Sequence, residues 1–368
     1  MITPVISFRH PPRHSERARA PNWRGAQRAI GKLAFGAVLA IGLLSVSANL
    51  SVAIGQSVRE PEHVTFESVT PLGTLSIPRQ AKGGLTPVKV SAELYMPASR
   101  SGPVPAMLIM HGSSGLTASG PKAIAWTERL NSWGIATLVV DSFGSRGIKE
   151  TATNQQSLSA FANVADAFKG LEALSKDPRI DRNRIGVMGF SRGGNVALYT
   201  TFESFRRVLV PSDLRFAVHI PLYPSCASQY TDAAIDRSPV LHLHGEADNQ
   251  TPIEQCREYL KWFERMGSEV RLVSYPDAHH GFDHPTDGIF YSRNSQAYIK
   301  CDGIYDIPSG KFTRLDHVDN PKQTPEEANK YWASCFSLGS NSGRNVAAQM
   351  DAYEQVRRFL GQHFRLPI

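Results

Sequence analysis

Apolar residues along this chain change their spacing in blocks, and each block predicts an element. Residues 63–70 (HVTFESVT) and 88–95 (VKVSAELY) alternate apolar and polar positions, the period-two pattern of antiparallel strands with one covered face. Continuous apolar runs follow at 104–110, 135–140, 185–190, 215–222, 239–243 and 270–275. Runs of that kind suit parallel strands buried on both faces. Helical stretches lie between them at about 121–133, 157–175, 193–205 and 252–266, and a last one at about 345–364 closes the chain. Strand alternating with helix predicts a doubly wound α/β fold, a mostly parallel sheet with right-handed crossovers and helices on both faces. Residues 284–344 break the pattern. They are rich in Asp, Asn, Ser, Pro and Tyr without a clear period, and read as an insertion between the last strand and the last helix.

Charge changes the picture at one end only. The chain of 368 residues carries a formal +7, but residues 1–32 hold seven basic side chains against one acid, Glu16. The remainder is therefore close to neutral, which removes the main support for a nucleic-acid partner. After Lys32 no charge appears until Arg59. A basic stretch, an apolar stretch and small residues give residues 1–55 the layout of a secretory signal, with "VSA" at 46–48 and "SVA" at 51–53 as cleavage sites. The competing reading is an uncleaved anchor helix that tethers the protein to a membrane. On either reading residues 56–368 form a single domain that works outside the cytoplasm, in the periplasm or secreted. Four cysteines in an oxidising compartment predict two disulfides. The favoured pairing of the three possible is Cys226–Cys256 with Cys301–Cys335, because each closes a local loop. No cysteine shows metal-ligand spacing, and no metal or cofactor is expected.

The chemistry centres on "GFSRGG" at 189–194, directly after an apolar run and before a helical one. A serine on a sharp strand-to-helix turn presents its hydroxyl to substrate, and the glycines allow so tight a bend. That makes Ser191 the expected nucleophile. A dinucleotide-binding loop is disfavoured, since G-x-G-x-x-G is absent here. A serine needs a base, and the base an orienting acid. Two later loops leave the carboxyl ends of predicted strands, where open α/β sheets place their sites. "HGEADNQTP" offers Glu246 and Asp248, and "YPDAHHGFDHP" offers His279, His280 and His284. "HGSSG" at 111–115 offers a backbone N–H, with Ser113 preferred over Ser114, to join that of Arg192 in an oxyanion hole.

In this order "HGSSG", "VDSFGSRG", "DPRIDRNRIGVMGFSRGG", "HGEADNQTP" and "YPDAHHGF" resemble the dienelactone hydrolase family of α/β-hydrolases, over about residues 85–283 and the final helix. The resemblance implies an α/β-hydrolase fold with Asp248 as acid and His280, before Gly-Phe, as base. It also implies no cofactor. The family's namesakes use a cysteine nucleophile, where Ser191 stands here. They carry a glutamate at the oxyanion loop, where this chain has His111-Gly112. Two arginines bind their substrate carboxylate. Arg146 in "FGSRG" matches one, and the position of the other reads Asp283-His284. The implied relative is thus a serine esterase acting on a small-molecule ester or lactone, with Arg146 as a substrate-binding candidate. A serine peptidase on the same fold and a catalytically silent binding protein are the alternatives. Oligomeric state is not written in the pattern.

Overall fold

The computed structural model describes residues 60–71, 77, 84–98, 101–210, 213–315 and 325–367. The basic, apolar leader read from the sequence lies outside the described residues. In chain order the elements are β1 (Glu62–Pro71), β2 (Leu85–Tyr95), β3 (Val104–Met110), α1 (Gly115–Ser132), β4 (Ala136–Asp141), α2 (Ala160–Lys176), β5 (Ile180–Phe190), α3 (Arg192–Tyr199) and α4 (Glu203–Leu209). They continue with β6 (His219–Leu222), β7 (Ser228–Thr231), β8 (Val240–Gly245), α5 (Ile253–Arg265) and β9 (Val270–Tyr275). Then come β10 (Ile289–Ala297), β11 (Gly303–Asp306), β12 (Lys311–Arg314), α6 (Pro325–Ser334), β13 (Ser337–Gly343) and α7 (Val346–Phe364).

Eight strands form one sheet in the order β1-β2-β4-β3-β5-β6-β8-β9. The two alternating segments, β1 and β2, pair antiparallel at one edge, and the continuous apolar runs pair parallel from β4 to β9. This is the α/β-hydrolase architecture that the pattern and the resemblance predicted. Side chains on a strand point alternately to opposite faces, and β3 shows the consequence. Ala106, Leu108 and Met110 enter one core with residues of α2, α3, α4 and α5. Met107 and Ile109 enter the other, with Trp126 and Leu130 of α1 and Val356, Phe359 and Leu360 of α7. Every residue of β3 is buried, so the central strand needs no polar face. β9 departs from the expectation. It lies at the sheet edge and is only partly covered, with Val270 and Leu272 against one core and Val273 and Tyr275 against the other.

Two more expectations are refined. The helical run at 193–205 splits into α3 and α4. Thr200 and Thr201 turn their hydroxyls back onto the carbonyls of Ala197 and Leu198, a local bond that competes with helix continuation. The described residues of the 284–344 segment are held in strand pairs. β10 pairs with β13, β11 with β12, and β11 lies parallel to β7. Both local disulfides form, Cys226–Cys256 and Cys301–Cys335. Among the described residues no helix is long and apolar enough to cross a membrane.

Candidate active site

β5 delivers Ser191 onto a sharp turn flanked by glycines. Ser191 has φ 54° and ψ −113°, a backbone state that L side chains adopt at a cost. The turn is held from both sides: Ser191 N donates to Leu222 O at 2.9 Å, and Asn195 N to Ser191 O at 3.0 Å. Gly193 is obligatory here, since a Cβ on it would lie 2.1 Å from Met110 O. The neighbouring Gly189 is equally confined, its Cβ falling 2.2 Å from Gly193 O.

Asp248 follows β8 and divides its carboxylate between two tasks. Oδ1 accepts from the Gln250 and Thr251 amides at 2.8 and 2.9 Å, which shapes the loop entering α5. Oδ2 accepts from the Thr251 hydroxyl at 3.0 Å and meets His280 Nδ1 at 2.7 Å. Burial pushes this carboxyl up, but the His280 charge and hydrogen bonds from His244 and His280 outweigh it and hold it well below the usual carboxylate range. The competing acid, Glu246, is bonded at the surface to Ser274 and Arg257. Of the three candidate histidines only His280 reaches Asp248. His279 bonds the Ala247 carbonyl, and the half-buried His284 bonds Thr286.

Ser191 and His280 both contact residues at the end of β6. Ser191 is bonded to Leu222, and the His280 ring packs edge-on against Tyr223 with centroids 4.9 Å apart. Thr251 Oγ1, 3.1 Å from His280 Nδ1, lines the same cleft as Ser191. Among the described residues no hydrogen bond joins the Ser191 hydroxyl to His280.

The loop after β3 is fixed by a neutral histidine. Burial lowers the His111 pKa. Its Nε2 accepts from Ser142 N at 3.2 Å, so Nδ1 carries the proton and donates to Gly112 O at 2.8 Å. Gly115 N holds the same carbonyl at 3.1 Å. In a trans peptide N–H and C=O point opposite ways, so the Ser113 N–H is turned away from these partners. A Cβ on Gly112 would lie 3.6 Å from Ser191 Cβ, which places this loop beside the serine. Ser114 is exposed and bonds Ser119.

Arg146 requires a correction. Its guanidinium is bound up in a buried, two-pronged ion pair with Asp166 at 2.8 and 2.9 Å, and also donates to Thr70, Ser142 O and Val69 O. It does not line the cleft. A planar fork of donors matched to a carboxylate is satisfied most completely by Asp166, so Arg146 secures the loop after β4 to α2 and β1. The cation that does line the cleft is Arg192. Its side chain donates to Asn163, Gln155 and Leu158 O, and burial pushes its pKa down to about 10.

The cleft has a volume of about 720 Å³. Ser113, Ser191, Arg192 and Thr251 line it from loops at the strand ends, and Tyr298, Tyr305 and Trp332 line it from the 284–344 segment. Phe290 and Tyr291 of the same segment are 49% and 65% exposed and do not line it. His242, His244 and Cys256 approach one another as metal ligands would. Cys256 is oxidised to a disulfide and has no thiolate to offer. Sequence reasoning missed Gln155, which bonds Ser113 and Arg192, because it lies in a polar loop without period. Thr251 was visible inside "DNQTP", but a threonine there carried no chemical signal.

Comparison with known proteins identifies the family. The dienelactone hydrolase family profile matches residues 90–301. An uncharacterized peptidase, YuxL, of Bacillus subtilis (strain 168) is 26% identical over 250 residues, covering 59% of this chain and 38% of its own length. Acylamino-acid-releasing enzyme 1 of Oryza sativa subsp. japonica is 24% identical over 220 residues, covering 49% of this chain and 28% of its own. The chain thus spans well under half the length of these curated relatives. Among solved structures, a dienelactone hydrolase-like promiscuous phosphotriesterase from metagenomic libraries superposes with TM-score 0.49 at 14% identity, over 82% of this chain and 98% of that one.

Proposed function

Because the chain belongs to the dienelactone hydrolase family and is a hydrolase, we propose that it cleaves a carboxylic ester or lactone through an acyl-serine intermediate. Ser191 Oγ attacks the carbonyl carbon while His280 takes its proton. His280 then returns that proton to the leaving alcohol, whose C–O bond breaks. Asp248 holds the imidazole with Nδ1 protonated and stabilises its cationic form. The Ser113 and Arg192 amides receive the oxyanion, each such donor typically contributing ~10²–10³ in rate. Water, activated by His280, releases the acid. The Ser191–His280 contact closes as substrate binds, since catalytic hydrogen bonds commonly tighten only then.

The observation that carries this reading is the 2.7 Å Asp248–His280 hydrogen bond beside Thr251, which lines the same cleft as Ser191 on its strained turn. Short and medium p-nitrophenyl esters test it, with wild type beside Ser191→Ala. A fall on the order of 10⁴ or more is expected. Equal, near-background rates in both proteins would remove the esterase reading. The relatives described as peptidase and acylamino-acid-releasing enzyme support a second reading, cleavage of a peptide or acylamino bond by the same residues. Acylated peptides offered to the same pair of proteins separate the two. The two disulfides fit an oxidising compartment, and we place the site of action outside the cytoplasm.

A further inference from the structure

Behind the His280 turn lies a buried charge cluster that the hydrolytic scheme does not use. Lys122 of α1 donates to the Tyr223 hydroxyl at 2.7 Å and pairs with Asp283 Oδ1 at 3.2 Å. Tyr223 donates to that same oxygen at 2.5 Å, and Trp126 Nε1 to Oδ2 at 2.8 Å. Asp283 and Trp126 are fully buried, and Tyr223 almost so. Burial first, then the Asp283 charge, hold the Tyr223 pKa well above its ordinary value, so the phenol keeps its proton. Ion pairs withdrawn from water are weak stabilisers, and apolar replacements are often neutral or better. Stability alone therefore gives little reason for this cluster.

What the cluster holds is the wall behind the imidazole. The Tyr223 ring meets the His280 ring at an interplanar angle of 67°. Tyr223 itself has φ 37°, a state costly for a bulky residue and most often found where the surrounding structure over-determines a functional site. Its N–H donates to Leu243 O at 2.8 Å, and its carbonyl oxygen lies 3.3 Å from Thr251 Oγ1. The Lys122 ammonium also lies 5.3 Å from the Phe190 ring centroid, and a Cβ on Gly281 would come within 3.4 Å of it. It thus reaches the chain neighbours of both Ser191 and His280. The Asp248 bond grips one edge of the imidazole, and a planar ring held at one edge can still pivot about that bond. Tyr223 occupies the space into which it would turn.

We propose that Tyr223 is a positioning residue for His280, locked in place by Lys122 and Asp283. The consequence for rate rests on the hydrolytic reading above, whereas the consequence for ring geometry does not. The test uses the full chain with ¹⁵N-labelled imidazoles, the His280 signal being assigned by its loss in His280→Gln. Wild type is expected to show one Nδ1-protonated tautomer. Tyr223→Phe, which keeps the ring and its packing, and Lys122→Met are expected to show mixed or exchange-broadened His280 signals. Their kcat on p-nitrophenyl acetate should fall about tenfold with KM within twofold, a part of the roughly 10²–10⁴ that a positioned base contributes. Unchanged His280 spectra in Tyr223→Phe would overturn the proposal, even with a lowered melting temperature, and assign the cluster to folding alone. Altered spectra with unchanged kcat would overturn it too, since ring orientation would then not govern the reaction. If wild type hydrolyses no ester while the variant spectra change, the hydrolytic reading fails and the positioning role stands.

Discussion

The cleft has two walls that were built by different means. From the sheet come Ser191, which lines the cleft, and Asp248 and His280 behind Thr251; each follows a strand whose apolar run sets its place, and Gly189, Gly193 and Gly245 make backbone contacts too close for a side chain. The other wall's Tyr298, Tyr305 and Trp332 come from a polar segment held by partners far away in sequence. β11 borrows β7 as a parallel neighbour, and Cys301 is tied to Cys335. The Tyr305 ring stacks on Tyr230 at 5.1 Å and faces Trp332 at 6.4 Å. On the proposed function the first group carries the chemistry and tolerates little change. The second shapes what may enter, and its parts are held by a few separable ties.

Arg146 offers the sharpest way to break this division. If it belongs to the scaffold, Arg146→Met leaves Asp166 buried without its cation and costs about 3–5 kcal/mol, read as a lower urea midpoint. The kcat/KM per folded molecule should stay within about twofold. A rise in KM with unchanged stability would return Arg146 to the substrate.

The next test separates the walls. Cys301→Ser with Cys335→Ser removes a cross-link across 34 residues, whose loss frees about 4 kcal/mol of unfolded-chain entropy. Because Tyr298 and Trp332 each stand three residues from one of these cysteines, KM should rise severalfold while kcat holds. A fall in kcat alone would mean that the segment reaches the reacting groups.

The smallest effect concerns acid. The Asp248 pKa is depressed on folding, so it contributes stability that is fully present above its unfolded value of about 3.9. That contribution is lost as pH falls below that value toward the folded one, at up to about 1.4 kcal/mol per pH unit. Wild type should therefore lose stability more steeply than Asp248→Asn between about pH 4 and pH 2 in denaturant titrations. Parallel slopes would show that the carboxylate is not the linked group.

Much of the sheet was legible because its signals are local. A run such as VPAMLIM at 104–110 must bury both faces, and a glycine-bracketed serine after such a run must turn sharply. The choice of His280 over His279 was written only in the neighbouring Gly-Phe, and the structure sends the His279 ring to the Ala247 carbonyl. The 284–344 segment was opaque for a physical reason. Its strands are short or irregular, β10 carries a register shift between Ser292 and Gln296, and β10 and β13 expose most of their side chains or cover them only in part. No periodic burial survives to be read.

Taken alone, the sequence determined the kinds of elements, their order, and the residue types capable of nucleophilic chemistry, because propensity and periodicity act over a few residues. Only the tertiary structure decided which cation met which anion. Arg146 and Asp166, and Lys122 and Asp283, lie 20 and 161 positions apart, and their pairing is set by the crossing of helices over the sheet. A buried charge must find its partner in the finished packing, and no local pattern records which one that will be.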